Sequence, residues 1–292
     1  MISVLIVTFN NERHIGACLA SLPWRTAALE LWITDNGSRD RTREAVEDSL
    51  RGLRRVTVNT QWNPTNAGYA AAMNRMLAAC GGDWICLLGP DTLIRGDALE
   101  QLADFLKKNA SVGAAAPRLV DGTGKTQPSC RRFPTVRDAL LEMTGLPKVF
   151  PDRFLPRWKM PDFDHASTRS VDQPEATCLM VRRRVLEQVG PMDERFPLFF
   201  NDVDWCRRIR RHGWDIVFCP SAVVEHVRGA SVRQTPVVKV WKSHQGFYRY
   251  FAKYRRSAWG KATNPFIGGM LACTAVLRIA AGMMHLNGRK MT

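Results

Sequence analysis

Three acids and one imidazole stand where this chain could do chemistry. Asp91 closes an apolar run, Trp84-Ile-Cys-Leu-Leu-Gly-Pro-Asp91. Asp202 and Asp204 fall in Phe200-Asn-Asp-Val-Asp204, and His226 follows Ala222-Val-Val-Glu225. An acid at the carboxyl tip of a buried strand is where open α/β sheets keep their ligand chemistry. A second acid and an imidazole add a base and a nitrogen ligand, the parts of a metal-assisted transfer. The chain reads as an enzyme.

Each of these residues also has a plainer role. Asp35 ends the run Leu31-Trp-Ile-Thr-Asp35 before Asn36-Gly37. Its side chain can point into a crevice above the sheet, or close an Asx turn that caps the next helix. Thr8 and Asn10 occupy the same kind of strand tip. Asn66-Ala-Gly68 opens a segment of small residues. Such a start either lets backbone N–H groups approach a phosphate or lets helix and sheet pack closely. Asp202 and Asp204 diverge by about 200° on a helix, so both cannot face one site. Asp202 falls at the helix start, where the dipole favours a carboxylate. Asp204 is spaced i,i+4 from Arg208, which suits a surface ion pair. A lone histidine such as His226 serves structure more often than it serves as a ligand.

The elements that must position these groups follow from periodicity. Runs at 3–9, 29–34, 55–59, 84–88 and 113–119 read as strands. Segments 12–21, 41–51, 67–80 and 97–108 between them read as helices. That alternation is the signature of βαβ units and a parallel sheet. From about 121 to 175 the pattern gives way to Pro, Arg and aromatic residues, an ordered excursion. Regular structure resumes with a strand at 178–182, helices at 184–189 and 202–212, and strands at 214–219 and 222–225.

At 292 residues the chain can bury a large core. Its formal charge of +15 is unevenly placed. No Asp or Glu follows Glu225, whereas twelve Lys or Arg run from Arg228 to Lys290. Such a tail seeks a polyanion, a phospholipid surface or a nucleic acid. Basic residues mixed with Trp241, Phe247, Tyr248, Tyr250, Phe251, Tyr254 and Trp259 suit a helix lying in a membrane interface. A solvated basic face with ordinary core aromatics is the competing account. The segment 265–284, interrupted by Arg278, is too short and too polar to read as a membrane span. The eight cysteines show no CxxC pair, which points to reduced thiols. The N-terminus opens directly into a strand-like run without a basic n-region, so no secretory signal is expected.

The ordered set VLIVTFN, ITDNGS, NAGYAAAMN, LLGPDT, PRL with QPSCRRFP, CLMVRR, GPMDERF, FFNDVDWCRR and VVEH resembles the family 2 glycosyltransferases with the GT-A fold. It resembles the rhamnosyltransferase-like members most closely, over roughly residues 2–233. The resemblance implies a Rossmann-like, mostly parallel sheet flanked by helices over 1–235. A basic, helical, membrane-associating extension then spans 236–292, and the donor site forms without it. By resemblance, Thr8, Asn10, Asp35, Asn66, Gly68 and Asp91 would bind the nucleotide-sugar, and Asp202 would be the general base. Asp91 and His226 would hold Mg²⁺ or Mn²⁺, and Arg131 and Arg132 would meet the acceptor or diphosphate. Gly89 departs from the family, which usually has Asp or Asn there, and Asn201 stands where Glu commonly precedes the base.

The function implied is inverting transfer of a sugar, L-rhamnose from dTDP-rhamnose by preference over a UDP-sugar. The acceptor would be a saccharide hydroxyl, lipid-linked, in cell-surface polysaccharide synthesis. The expected setting is cytoplasmic, peripheral at the inner face of the plasma membrane against an anionic surface. Two other classes compete. A nucleotidyltransferase would want a glycine-rich phosphate loop with a lysine, which Thr8-Phe-Asn-Asn-Glu-Arg13 lacks. A nucleic-acid-binding protein with an inactive enzyme-like domain would explain the tail, but no reading motif accompanies the charge.

Overall fold

The computed structural model describes residues 1–24, 26–51, 56–144, 150, 154, 157–227 and 236–288. Sequence expectations for 145–149, 151–153, 155–156 and 228–235 lie outside these described residues. The N-terminal half alternates strand and helix: β1 (Ile2–Thr8), α1 (Ile15–Ala20), β2 (Leu29–Asp35), α2 (Thr42–Leu50), β3 (Thr57–Trp62), α3 (Tyr69–Ala79) and β4 (Trp84–Leu88). Next come β5 (Thr92–Arg95), α4 (Ala98–Lys108), β6 (Val112–Val120), β7 (Cys130–Arg131), α5 (Val136–Thr144), β8 (Arg169–Ser170) and β9 (Gln173–Pro174). The chain continues with β10 (Cys178–Arg182), α6 (Arg183–Val189), α7 (Asn201–Arg211), β11 (Asp215–His226), α8 (Pro236–Tyr254) and α9 (Ala258–Gly288).

The main sheet runs β3-β2-β1-β4-β10-β6-β11-β5, with β8 also pairing β11. The pairs β1–β2, β1–β4, β2–β3 and β6–β11 are parallel, while β10 and β5 run antiparallel to their neighbours. Every residue of β1 is buried, as a central strand covered on both faces requires. One face packs Ile6, Leu31, Leu99 and Leu102 under α1, α2 and α4. The other packs Leu5, Leu87, Met73 and Trp205 under α3, α6 and α7.

The sequence reading differs from the structure at three strands. The third strand was expected at 55–59 and β3 runs Thr57–Trp62, since an exposed edge strand carries little apolar periodicity. Short β5 escaped notice between Asp91 and the next helix. The two strands expected at 214–219 and 222–225 are one, β11. Its partnership with β6 skips between Cys219 and Val223, where Pro220 has no N–H to offer the ladder.

The C-terminal helices share a third core with the catalytic half. Phe247, Tyr250, Phe251, Ile267 and Leu271 bury themselves against Phe196, Phe200, Val203 and Ala139. Gly246 makes this contact possible, because a Cβ there would lie 2.6 Å from the Phe200 ring. Phe247, Tyr250 and Phe251 are therefore core residues and not members of an interfacial membrane face. The competing account of the tail holds for them. Trp259, Phe266, Val276 and Leu277 are exposed on α9. Its Ala258–Ala280 stretch has a mean hydropathy of 1.2, and by length and composition alone this helix could cross a membrane. That stretch begins earlier than the apolar segment read from sequence, because the helix continues through Pro265. All eight cysteines are free, seven of them buried.

Candidate active site

The antiparallel pairing of β5 with β11 sets Thr92 opposite His226. That register brings Asp91 and His226 together from opposite ends of the chain, with His226 Nε2 3.8 Å from Asp91 Oδ2. Both side chains are about nine-tenths buried. Val227 N donates to the Asp91 carbonyl at 2.9 Å and closes the junction. Gln127 fixes the imidazole. Its Nε2 donates to the His226 carbonyl at 2.9 Å, so its Oε1 is the atom 3.2 Å from His226 Nδ1. The carbonyl can only accept, which sets the amide orientation and puts the imidazole proton on Nδ1. Nε2 is then the lone-pair nitrogen on the Asp91 side. A ring N–H held this way is how metal-ligating histidines are oriented.

Two ligands suffice for a hard cation that takes its remaining ligands from phosphates and water. Among the described residues no third His, Cys, Asp or Glu joins them in a metal-sized cluster. The pair thus fits Mg²⁺ or Mn²⁺ carried with a diphosphate better than a closed protein cage. Where the family usually has a side chain, Gly89 leaves room that Asp91 uses, since a Cβ there would lie 3.2 Å from Asp91 Oδ1.

A cleft of about 540 Å³ is lined by Thr8, Asn11, Asn36, Asn66, Tyr69 and Pro90 among others; it reaches the pair through Pro90, the neighbour of Asp91, while Asp91, His226 and Asp202 do not themselves line it. Asp35 stands behind that wall. Its Oδ1 accepts from Gly37 N and Ser38 N at 3.0 and 2.8 Å, and its Oδ2 accepts from Thr8 Oγ1 and Ser38 Oγ. The Asx-turn reading is the one this geometry displays. Asn10, at φ 54°, donates its N–H to Ser38 Oγ and accepts from Arg39 N, knitting the same two strand tips. At the α3 start, Asn36 Oδ1 accepts from Ala67 N, Asn66 Oδ1 from Gly68 N, and the Pro197 carbonyl from Tyr69 N. Gly68, at φ +89°, would place a Cβ 2.9 Å from Pro197. Close packing accounts for its small side chain, and those N–H groups already have acceptors.

Asp202 lies in the first turn of α7, after Phe200 in the left-handed conformation. Oδ1 accepts from Val203 N at 2.8 Å and Oδ2 from Gln173 Nε2 at 3.1 Å. Burial pushes its carboxyl above the usual carboxylate value, against these bonds and one from the Ala176 backbone. The next residue, Thr177, accepts from Gly89 N at 2.7 Å, so one short segment links Asp202 to the Asp91 turn. Its charge also reaches Tyr69 on the cleft wall, whose phenol is raised first by burial and then by Asp202.

Asp204 points elsewhere, as helical spacing requires. It is fully buried, bonded to Arg208 Nε at 3.0 Å, Lys253 Nζ at 2.6 Å and Tyr254 OH at 2.8 Å. The expected Arg208 pair exists, but it is buried and shared with α8. Arg131 and Arg132 are engaged internally. Arg131 pairs with Glu175 at 3.0 Å, and Arg132 pairs with Asp162 at 2.7 Å. Sequence reasoning missed Gln127, Gln173, Asn36 and Lys242, which also lines the cleft. Uncharged amides and a lysine in a basic tail carry no local signal.

A mostly parallel sheet of this order, flanked by helices, is the arrangement of the GT-A fold. The chain belongs to the family described as glycosyltransferase like family 2, whose profile matches residues 1–239. It is 28% identical to the N-acetylglucosaminyl-diphospho-decaprenol L-rhamnosyltransferase of Mycobacterium tuberculosis, over 100% of this chain and 97% of that protein. It is 21% identical to the low-salt glycan biosynthesis hexosyltransferase Agl10 of Haloferax volcanii, over 86% and 74%. Among solved structures it is similar to the mannosyltransferase PcManGT of Pyrobaculum calidifontis in complex with GDP-Man and Mn²⁺. That match has a TM-score of 0.59 at 17% identity and covers 99% of this chain and 79% of that one. Staphylococcus aureus TarS 1–349 with UDP-GlcNAc gives 0.59 at 15% identity, over 94% and 72%. The protein is a glycosyltransferase.

Proposed function

We propose that this glycosyltransferase moves L-rhamnose from dTDP-rhamnose to a hydroxyl of a lipid-linked saccharide diphosphate, with inversion. The observation that carries the reading is the Asp91–His226 pair brought together by the β5–β11 register, one residue along the chain from Pro90 on the cleft wall. The sugar and the acceptor follow the full-length relative, whose name specifies a rhamnosyl group and a diphospho-decaprenol carrier, and the dTDP carrier follows the family resemblance alone. Thr8, Asn66 and Gly68 would shape the nucleotide wall, with Asn10 and Asp35 bracing it from behind. Arg131 and Arg132 could meet the acceptor or the diphosphate only by leaving their internal partners. A role in cell-surface polysaccharide synthesis at the cytoplasmic face of a membrane follows from a lipid-linked acceptor and the basic tail.

In this mechanism the acceptor hydroxyl attacks the anomeric carbon while the bond from that carbon to the diphosphate oxygen breaks. Asp202 accepts the hydroxyl proton, and burial keeps its carboxylate basic enough for the task. Asp91 and His226 would hold the divalent ion, whose charge offsets that growing on the departing nucleotide. In the neutral imidazole Gln127 holds the proton on Nδ1 and leaves the Nε2 lone pair for that purpose. A Gln127→Leu variant is expected to raise the half-saturating Mn²⁺ concentration about 10–100-fold, read from a metal titration of transfer.

The deciding experiment offers several nucleotide-sugars with a prenyl-diphosphate N-acetylglucosamine acceptor, with and without chelator. Transfer is expected from dTDP-rhamnose and is expected to stop in chelator. Transfer from another donor alone would replace the sugar assignment, and full rate in chelator would remove the metal.

A further inference from the structure

Along α8 the residues Lys242, Arg249 and Arg256 recur every seven positions, two helical turns, so they follow one side of the helix and its exit. They line hollows that share walls. Lys242 faces the donor cleft and, with Arg249, a narrow passage beside Phe196 and Gln245. Arg249 and Arg256 then line a hollow of about 440 Å³ that also holds Tyr248. Tyr248 in turn borders a groove of about 510 Å³ between α8 and α9, walled by Trp241, Pro265, Gly269, Leu271 and Ala272. The order from cleft to groove is sugar-sized cavity, cation row, apolar trough.

Charge marks this path for an anionic ligand. Lys253 and Arg195, which also border the cation hollow, are paired with Asp193. Lys242, Arg249 and Arg256 form no ion pair among the described residues, and no acid follows Glu225 in the chain.

We propose that this path is the acceptor site. The α8–α9 groove takes the first isoprenoid units of a prenyl chain, Lys242, Arg249 and Arg256 take its diphosphate, and the saccharide enters the cleft. The proposal rests on the reading of a lipid-linked diphosphate acceptor given above. It adds where that acceptor lies and which end faces which wall. Only a ligand that is apolar, then doubly anionic, then a sugar matches the three walls in order.

The test uses the full-length protein without donor, titrated calorimetrically with farnesyl diphosphate, farnesol and inorganic diphosphate. Farnesyl diphosphate is expected to bind at least about tenfold more tightly than either half alone, since both walls then contribute. Arg249→Gln and Arg256→Gln are each expected to weaken it about tenfold, the worth of one charge-assisted hydrogen bond. Gly269→Phe fills the groove from a position where a Cβ meets nothing within 4 Å. It should weaken farnesyl diphosphate and leave inorganic diphosphate unchanged. Equal binding of farnesyl diphosphate by all these proteins overturns the assignment. Displacement by phosphatidylglycerol vesicles as effective as by farnesyl diphosphate also overturns it, in favour of a general anionic membrane contact. Because no donor is present, selective binding with no rhamnosyl transfer would refute the functional reading and leave the site standing.

Discussion

Asp202→Asn is expected to lower turnover about 10²–10⁴-fold, the usual worth of a general base, while donor binding persists. The amide keeps the shape of the side chain but cannot take the acceptor proton. The same substitution has an opposite effect on the fold. Burial raises the Asp202 carboxyl in the folded state, so the fold favours its neutral form. That preference is fully present below the ordinary aspartate value and is lost as pH rises through the raised one. Once ionised, the half-buried carboxylate therefore opposes folding. Asp202→Asn should gain stability relative to the native protein as pH climbs from about 4 to 7. Urea melts at both pH values measure this. The acid limb of kcat/KM should also lie above the pKa of a solvent-exposed aspartate. If Asp204→Asn abolished turnover and Asp202→Asn did not, the base would be the other carboxylate.

Where the candidate residues would lie was legible wherever their placement rests on local pattern. The strand tips at Thr8, Asp35 and Asp91 follow from apolar runs of strand length, and the divergence of Asp202 from Asp204 follows from helical geometry alone. What stayed hidden depends on pairings distant in sequence. Nothing near Gln127 announces that its amide will brace His226, because that contact exists only once β6 has been laid beside β11. The tail misled for a related reason. Aromatic residues among basic ones look the same whether they meet lipid or Phe200, and Gly246 decides in favour of Phe200 by letting the helix approach. Sequence could likewise read Asp35 two ways, and the four bonds to its carboxylate show the turn.

Asp204→Ala is expected to destabilise the protein by about 3–5 kcal/mol, as breaking a buried ion network does, while the folded fraction keeps its turnover. Asp204 is fully buried, and its carboxylate is the point where Arg208 of α7 and Lys253 and Tyr254 of α8 converge. Its removal leaves Lys253 with Asp193 alone and loosens α8 from the helix that carries Asp202. Lys253→Met should cost less, because Arg208 and Tyr254 still hold the carboxylate. A chain ended before α8 loses more than a tail. It strips Lys253 from Asp204, exposes Phe196, Phe200 and Val203, and removes Val238 and Lys242 from the cleft wall. Such a truncation is expected to lose its donor site, where the sequence alone suggested that residues 1–235 would retain it. Denaturant melts of the two point variants, with donor binding by the truncated chain, decide the matter. A loss of under about 1 kcal/mol for Asp204→Ala would rank these contacts with exposed surface pairs, and the C-terminal helices would then be an appendage to the enzyme instead of part of its core.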